Sequence, residues 1–253
     1  MTTAKVQSGK ITARILVRTF LRCHFVSAAF NTRGLQNVGL AMAMEPGLAA
    51  IYPLAEDRRA AWKRYVKVYN THPLWTPFLV GVFLFLESRI ARGEFPAAMI
   101  EEVKPTVMFT LSAVGDSFFG GSLSITWALA TACLLVNQAQ ASAAALSIVL
   151  FTALCAFRLV TFVMGYRQGF GALNAIKRWD MINWGRRLKV LNAALLVILW
   201  SSLWPKNFDP LVLAGAFVVL TGAALAAKRS QFNREILVAL GLAAGLFSLW
   251  IRL

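Results

Sequence analysis

The chain has 253 residues, 58% hydrophobic and 15% charged, and its mean hydropathy of +0.62 is higher than a soluble domain of this length shows. Lys and Arg number 26 against 11 acids, a formal charge of +15; on a hydrophobic chain this marks cytoplasmic loops and anionic headgroups, and no nucleic-acid-reading motif accompanies it, which argues against nucleic acid as a partner. Cys23, Cys133 and Cys155 are scattered and odd in number, so neither a disulfide framework nor a metal cluster is indicated.

The N-terminal stretch MTTAKVQSGKITARILVRTFLRCHF is basic but has no long apolar core before a small-residue cleavage site, so a cleaved signal peptide is not expected. Within it, Leu16, Phe20 and Phe25 recur about a turn apart, while Arg14, Arg18 and Arg22 form an i, i+4, i+8 row. That pattern fits an amphipathic helix lying in a membrane interface, or a solvated helix of a cytoplasmic lobe. Residues 55–69 read as a charged helix that ends at Asn70-Thr-His-Pro73, because His72 precedes a proline and is driven from helical geometry. The apolar stretch Trp75 to Leu86 is too short for a bilayer core that needs ~20 residues, and predicts a re-entrant or half-spanning segment.

Charged residues punctuate the chain up to Lys104, whereas from Pro105 through Phe157 the only ionisable acid or base is Asp116. Two parts of one continuous unit follow: 1–104, interfacial helices and a first hairpin, and 105–253, a membrane-embedded core. Further spans are predicted at 141–166, 188–204, 211–227 and 236–251, with Trp200, Trp204 and Trp250 as interfacial anchors. Basic loops at 167–189 and 228–234 belong on the cytoplasmic side, as does the N-terminus. The fold class expected is all-α: a polytopic integral membrane protein with an amphipathic N-terminal region, re-entrant helical hairpins and several transmembrane helices.

A carboxylate at membrane depth costs roughly 2.5–3.5 kcal/mol on insertion scales, so Asp116 needs a reason. Gly115 allows a tight turn and Ser117 can cap a helix, which predicts a helix break whose N–H groups solvate the acid beside a polar cavity, or a structural cap without a ligand. An intramembrane aspartyl protease fits poorly: Ala113 stands where its Gly-x-Gly-Asp segment has glycine, and no second membrane-embedded acid is available to share a proton. Arg158 either pairs with Asp116 or snorkels to the surface. His72 lacks a second ligand at metal-binding spacing. No catalytic residue, metal or cofactor is expected. One carboxylate with amides and hydroxyls suits a neutral sugar.

Asn31, Gln36 and Gly39 in FNTRGLQNVGLAMAM, IYP at 51–53, NTHP at 70–73, Gly81 and Glu87 in GVFLFLES, Lys104, GDSFFGG at 115–121, and FRLVTFVMGYRQG at 157–169 follow one another along the chain. In this order and spacing the sequence resembles the IID subunit of the mannose/fructose/sorbose-type sugar phosphotransferase system. The resemblance covers roughly residues 12–192. It implies a non-enzymatic subunit of the bacterial cytoplasmic membrane that pairs with a IIC protein to form the path of a mannose-type hexose, in higher-order assemblies of such pairs. Soluble IIA and IIB proteins would carry the phosphoryl group on histidines. Gln36, Asn70, Gly115, Asp116 and Ser117 are the implied sugar contacts. The chain departs from the pattern at Gly120, where the family has Trp, at Ser124-Ile125, where it has Arg-Pro, and at Arg186, which replaces an acid. These departures imply either altered sugar preference or a regulatory or scaffold subunit that has lost transport.

Overall fold

The structure is a computed structural model that describes residues 9–203. The chain divides into two compact units, Met1–Ser202 and Leu203–Leu253, and the fold below is that of the first. The predicted spans 211–227 and 236–251, with Trp204 and Trp250, lie outside the described residues.

Among the described residues nine α-helices follow in order: α1 (Ala13–Arg22), α2 (Asn37–Ile51), α3 (Ala55–Lys63), α4 (Thr76–Ala91), α5 (Ala98–Gly115), α6 (Ser124–Val136), α7 (Gln140–Gln168), α8 (Gly171–Arg178) and α9 (Met181–Leu203). A 3-10 stretch, Cys23–Ala29, follows α1, and a π-helical stretch, Asp116–Leu123, joins α5 to α6. The all-α class holds throughout the described residues. Local chemistry accounts for several boundaries. Glu56 and Asp57 occupy the first turn of α3 and Lys63 its last, each at the favourable end of the helix dipole. Proline stands in the first turn of α4, where a missing N–H costs nothing. Gly169 ends α7 with φ +55, and a Cβ there would lie 2.4 Å from the Phe85 ring.

Helix α1 is amphipathic as its spacing predicts, but not on one simple face. Leu16 and Phe20 pack onto the core, whereas Val17, Leu21 and Phe25 are exposed, as are Arg14 and Arg18. Arg22 instead turns to the protein, donating to the Met42 carbonyl at 2.9 Å.

Helix α4, the segment too short to span, is the centre of the core. Trp75, Phe78, Leu79, Val80, Val82 and Leu84 are fully buried, and each such side chain contributes about 1.5–3 kcal/mol relative to exposure in water. Its 16 residues rise only about 24 Å, and protein rather than lipid covers them. Small residues let α4 cross α7 closely. A Cβ on Gly81 would lie 2.4 Å from the Phe162 carbonyl oxygen, and one on Gly165 would lie 2.5 Å from that of Phe78, the kind of backbone approach that only small residues allow. Gly165→Val is therefore expected to force the helices apart and lower the thermal midpoint of the detergent-purified protein, whereas Gly171→Ala, which meets only a Gln168 Cβ at 4.0 Å, leaves it unchanged.

Two described helices are long and apolar enough to cross a membrane: the continuous rod Ala98–Val136 and α7. The outward surfaces of α6 and α7 are largely apolar, with no buried residue on α6 and with Ile148, Val149, Phe151, Leu159 and Val160 of α7 all exposed. The predicted span 141–166 falls inside α7, and 188–204 overlaps α9.

The expected break at Gly115-Asp116-Ser117 is absent. Gly115 (φ −63, ψ −48) and Asp116 (φ −61, ψ −42) are both helical, and no side chain caps a new start. The rod widens instead of breaking. Ser122 Oγ donates to the Ser117 carbonyl at 3.0 Å and Ser124 Oγ to that of Phe119 at 2.7 Å, each five residues back, as befits a π register.

Candidate functional site

The loop at residues 69–75 docks along α5 and the π-helical stretch. The Asn70 N–H points at the Met108 sulfur (3.1 Å), and Thr71 Oγ1 donates to the Met108 carbonyl (3.4 Å). Further along, His72 lies against Gly115: a Cβ on that glycine would sit 2.4 Å from the His72 Cβ and 2.9 Å from the Trp75 ring. Gly115 thus makes room for a loop rather than turning a chain. His72 then stacks on Phe119, with ring centroids 5.3 Å apart and planes 23° from parallel.

Phe119 is the hub of an aromatic cluster. Trp75 lies 6.1 Å from it, Phe118 5.0 Å and Phe157 of α7 5.2 Å, and Phe157 also meets Trp75 and Trp179. Beside the cluster opens a groove of ≈ 310 Å³ lined by His72, Phe119, Ser124, Trp127 and Ser147 among others, at the lower end of small-ligand sites. Trp127 Nε1 donates to Ser147 Oγ at 3.0 Å across its floor, joining α6 to α7. Aromatic faces with hydroxyls and an imidazole at the edge are chemically suited to a sugar's apolar ring faces and polar rim.

Of the five predicted contacts, Asp116 and Ser117 are open, Asn70 is partly so, and Gln36 and Gly115 are buried. Asp116 and Ser117 are exposed, and among the described residues the Asp116 carboxylate accepts only the Ser112 hydroxyl, at 3.4 Å. Asn70 is partly exposed and its side-chain amide makes no hydrogen bond to the described residues. Gln36 is 7% exposed and behind the loop: its Nε2 donates to Ser27 Oγ at 3.3 Å and its Oε1 accepts the Thr71 N–H at 3.3 Å. Asn70 lies at the level of Met108, eight residues before Asp116, or about 12 Å along the helix axis. Gly115 and Phe119 therefore face His72, the exposed Asp116 acts on it electrostatically, Asn70 stands farther along the rod, and Gln36 holds the loop from within.

Of the two alternatives for Arg158, pairing with Asp116 is not the one seen: Arg158 makes no ion pair among the described residues, and its Nε is buried without a hydrogen-bond partner there. Burial holds the His72 imidazole below its ordinary value; the Asp116 carboxylate opposes that shift and the Arg158 guanidinium adds to it. A folded-state value below the unfolded one means that the unfolded chain binds the extra proton more readily. Stability from this source is present above about pH 6.5 and lost as pH falls below it. Between pH 7 and pH 5 the wild-type protein should lose more thermal stability than His72→Gln; equal losses would show that His72 is not the titrating group.

A second polar centre lies in the core. Glu87 of α4 is fully buried, and its carboxylate accepts from Arg64 Nε at 3.0 Å and Nη2 at 2.5 Å, from Tyr52 OH at 2.8 Å and from Tyr65 OH at 2.7 Å. Burial and the neighbouring carboxylate push the Tyr65 hydroxyl upward, so it stays a donor. Lys104 adds a bond from Nζ to the Arg64 carbonyl at 2.7 Å and lies over the Tyr65 ring at 5.9 Å. Every oxygen of Glu87 is occupied, which marks it as an internal brace rather than a ligand site.

The profile of the PTS system mannose/fructose/sorbose family IID component matches residues 10–221, most of the chain. The protein belongs to that family. Among curated relatives, the mannose-specific EIID component of Escherichia coli K12 is 31% identical over 124 residues, 48% of this chain and 44% of that protein. The sorbose-specific EIID component of Klebsiella pneumoniae is 32% identical over 119 residues, 47% and 43% of the two chains. The fructose permease IID component of Bacillus subtilis is 27% identical over 162 residues, 64% and 58%. These alignments span about half the length of the relatives. The IID fold is shared with a chain of the mannose transporter ManYZ solved by cryo-EM with microcin E492, at 20% identity and a TM-score of 0.56, covering 96% of this chain and 98% of that one. It is also shared with a chain described as a membrane protein, at 20% identity, a TM-score of 0.74 and the same coverage. The IID chain is thus a helical membrane component of a sugar phosphotransferase system.

Proposed function

We propose that this IID chain pairs with a IIC membrane subunit in the bacterial cytoplasmic membrane, its N-terminus on the cytoplasmic side, to form the path of a mannose-type hexose that IIB phosphorylates during uptake. The observation that carries this reading is the docking of the Asn70–Pro73 loop on the π-helical stretch. It leaves Asp116 and Ser117 exposed and the Asn70 side-chain amide without a hydrogen bond to the described residues, while His72 and Phe119 line a neighbouring groove. Asp116 would accept from two sugar hydroxyls, Ser117 and Asn70 would donate and accept, and the Phe119 cluster would shape the floor. Each neutral hydrogen bond contributes ~1 kcal/mol net, so useful selectivity needs several, some of them from the second subunit. Gln36 would act indirectly, by keeping the loop in place. Membrane lipid would cover the apolar outer surfaces of α6 and α7, and the IIC–IID pairs would associate into higher-order oligomers. The phosphoryl group would be carried by the soluble IIA and IIB proteins, and the chain has no catalytic part in the transfer.

A second reading, a regulatory or scaffold subunit that does not transport, is favoured by Gly120. The family's tryptophan is missing there, the position is exposed, and nothing lies within 4 Å of where its Cβ would be. Vesicles holding this chain with its IIC partner, supplied with phosphoenolpyruvate and the soluble proteins, separate the two. Hexose phosphate formed only when this chain is present supports transport. An assembled pair that forms none supports the scaffold.

A further inference from the structure

The π-helical stretch is tied to a second helix as well as to its own serines. Asn192, on α9 and 8% exposed, reaches across to it with both ends of its amide: Nδ2 donates to the Ser122 carbonyl at 3.1 Å, and Oδ1 accepts from Thr126 Oγ1 at 2.7 Å. Thr126 Oγ1 also lies 3.0 Å from the same Ser122 carbonyl. Two side-chain groups therefore converge on one backbone oxygen at the end of the widened stretch, where an α-helical ladder would be disturbed by such insertion. Elsewhere along this interface α9 meets the rod through the weaker Cys133 Sγ contact to the Leu195 carbonyl at 3.6 Å, and through Gly185, whose bare Cα faces Ser122 and Phe118. The amide is the specific polar tie between them.

We propose that Asn192 is a positioning residue: by holding the Ser122 carbonyl out of the α-helical ladder it fixes the π register, and the register sets the direction in which Asp116, Ser117 and Phe119 point. The physical reason is angular. An α-helix turns about 100° per residue, so losing the one-residue excess of the wide register would swing the preceding helix, or its successor, by about that angle. Phe119 would leave the His72 ring, and Asp116 and Ser117 would turn relative to it. Loss of an inter-helix amide that leaves a buried carbonyl half-satisfied is also what tips a rod toward the ordinary ladder. This inference rests on the reading of Asp116 as a sugar contact only for its functional consequence; the register itself is a property of the chain alone.

The test places spin labels on exposed Thr110 and Ala128, on either side of the π-helical stretch, in the full chain paired with IIC and with the three native cysteines replaced. The distance between the labels is then measured with Asn192 intact, with Asn192→Leu and with Asn192→Asp, which keeps the acceptor for Thr126 but not the donor to Ser122. The expected result is a shifted distance in both variants, greater in Asn192→Leu, with hexose uptake falling at least tenfold in parallel; Thr126→Val, which leaves the Asn192 donor in place, should retain the wild-type distance. Unchanged distances in folded Asn192→Leu and Asn192→Asp overturn the proposal, whatever uptake does. Shifted distances with wild-type uptake uphold the register and instead remove Asp116 from the sugar site.

Discussion

Replacing Asp116 by asparagine is expected to lower hexose uptake about a hundredfold while the pair with IIC still assembles. The carboxylate is exposed and among the described residues accepts only a 3.4 Å contact from Ser112, so the substitution removes no structural bond of consequence there. What it removes is acceptor strength. Hydrogen bonds to a charged group contribute about 1.5–3 kcal/mol against about 1 for neutral ones. Two weakened sugar contacts together cost about 3 kcal/mol, and 1.4 kcal/mol is a factor of ten. The substitution also removes the negative field that favours protonation of His72, but since burial already keeps that imidazole below its usual value, this second effect is small near neutral pH. Uptake by Asp116→Asn at the wild-type rate would remove this residue from the sugar path.

The second large effect belongs to the core. Glu87→Ala strips one buried carboxylate from four donors at once, leaving Arg64 charged with its side chain 11% exposed, the Tyr65 hydroxyl unpaired and the Tyr52 hydroxyl with only the residue 87 carbonyl at 3.3 Å. Removing one member of a buried pair costs about 3–5 kcal/mol, because the other charge stays behind. The paired substitution Glu87→Leu with Arg64→Met removes both charges and should recover much of that loss. Thermal unfolding of the three purified proteins measures this directly. A single variant as stable as wild type would show that Glu87 is not the brace its four contacts describe.

Much of this fold was legible in the sequence, and the parts that were not share physical causes. The all-α membrane class followed from hydropathy and charge placement, and Asp116 stood out because no other acid or base interrupts residues 105–157. The short apolar stretch at Trp75 to Leu86 was ambiguous for a plain reason: burial by protein and burial by lipid select the same apolar side chains, so composition does not say which one covers α4. Leu16 packs on the core whereas Phe25 is exposed: nine residues separate them, about half a turn around a helix, and Phe25 lies past the end of α1 in the 3-10 stretch.

Gly115 and Ser117 resembled a helix break because glycine and serine next to an acid carry that meaning locally. The structure gives Gly115 a different task, clearance for His72 and Trp75, that only the folded loop could reveal. The signal for the wide helix was present in Gly120, Gly121 and the two serines placed five residues after their acceptors, but one residue of excess leaves no periodicity to read. His72 was passed over because it lacked a partner for a metal, though its place as a stacking ring against Phe119 needed none. Asn192 carried no signal at all, since its role depends on the crossing of α9 with a helix more than sixty residues earlier.

Protection of a cysteine at position 117 tests the central claim most directly. Ser117→Cys, in a chain whose native cysteines are replaced and which is reconstituted with IIC, presents an exposed thiol beside Asp116. Its rate of modification by a polar maleimide is measured with and without saturating hexose. The sugar-path account predicts that the transported hexose slows the reaction severalfold and that Asp116→Asn removes this protection. A modification rate that hexose leaves unchanged, in a pair that still takes up the sugar, would contradict it.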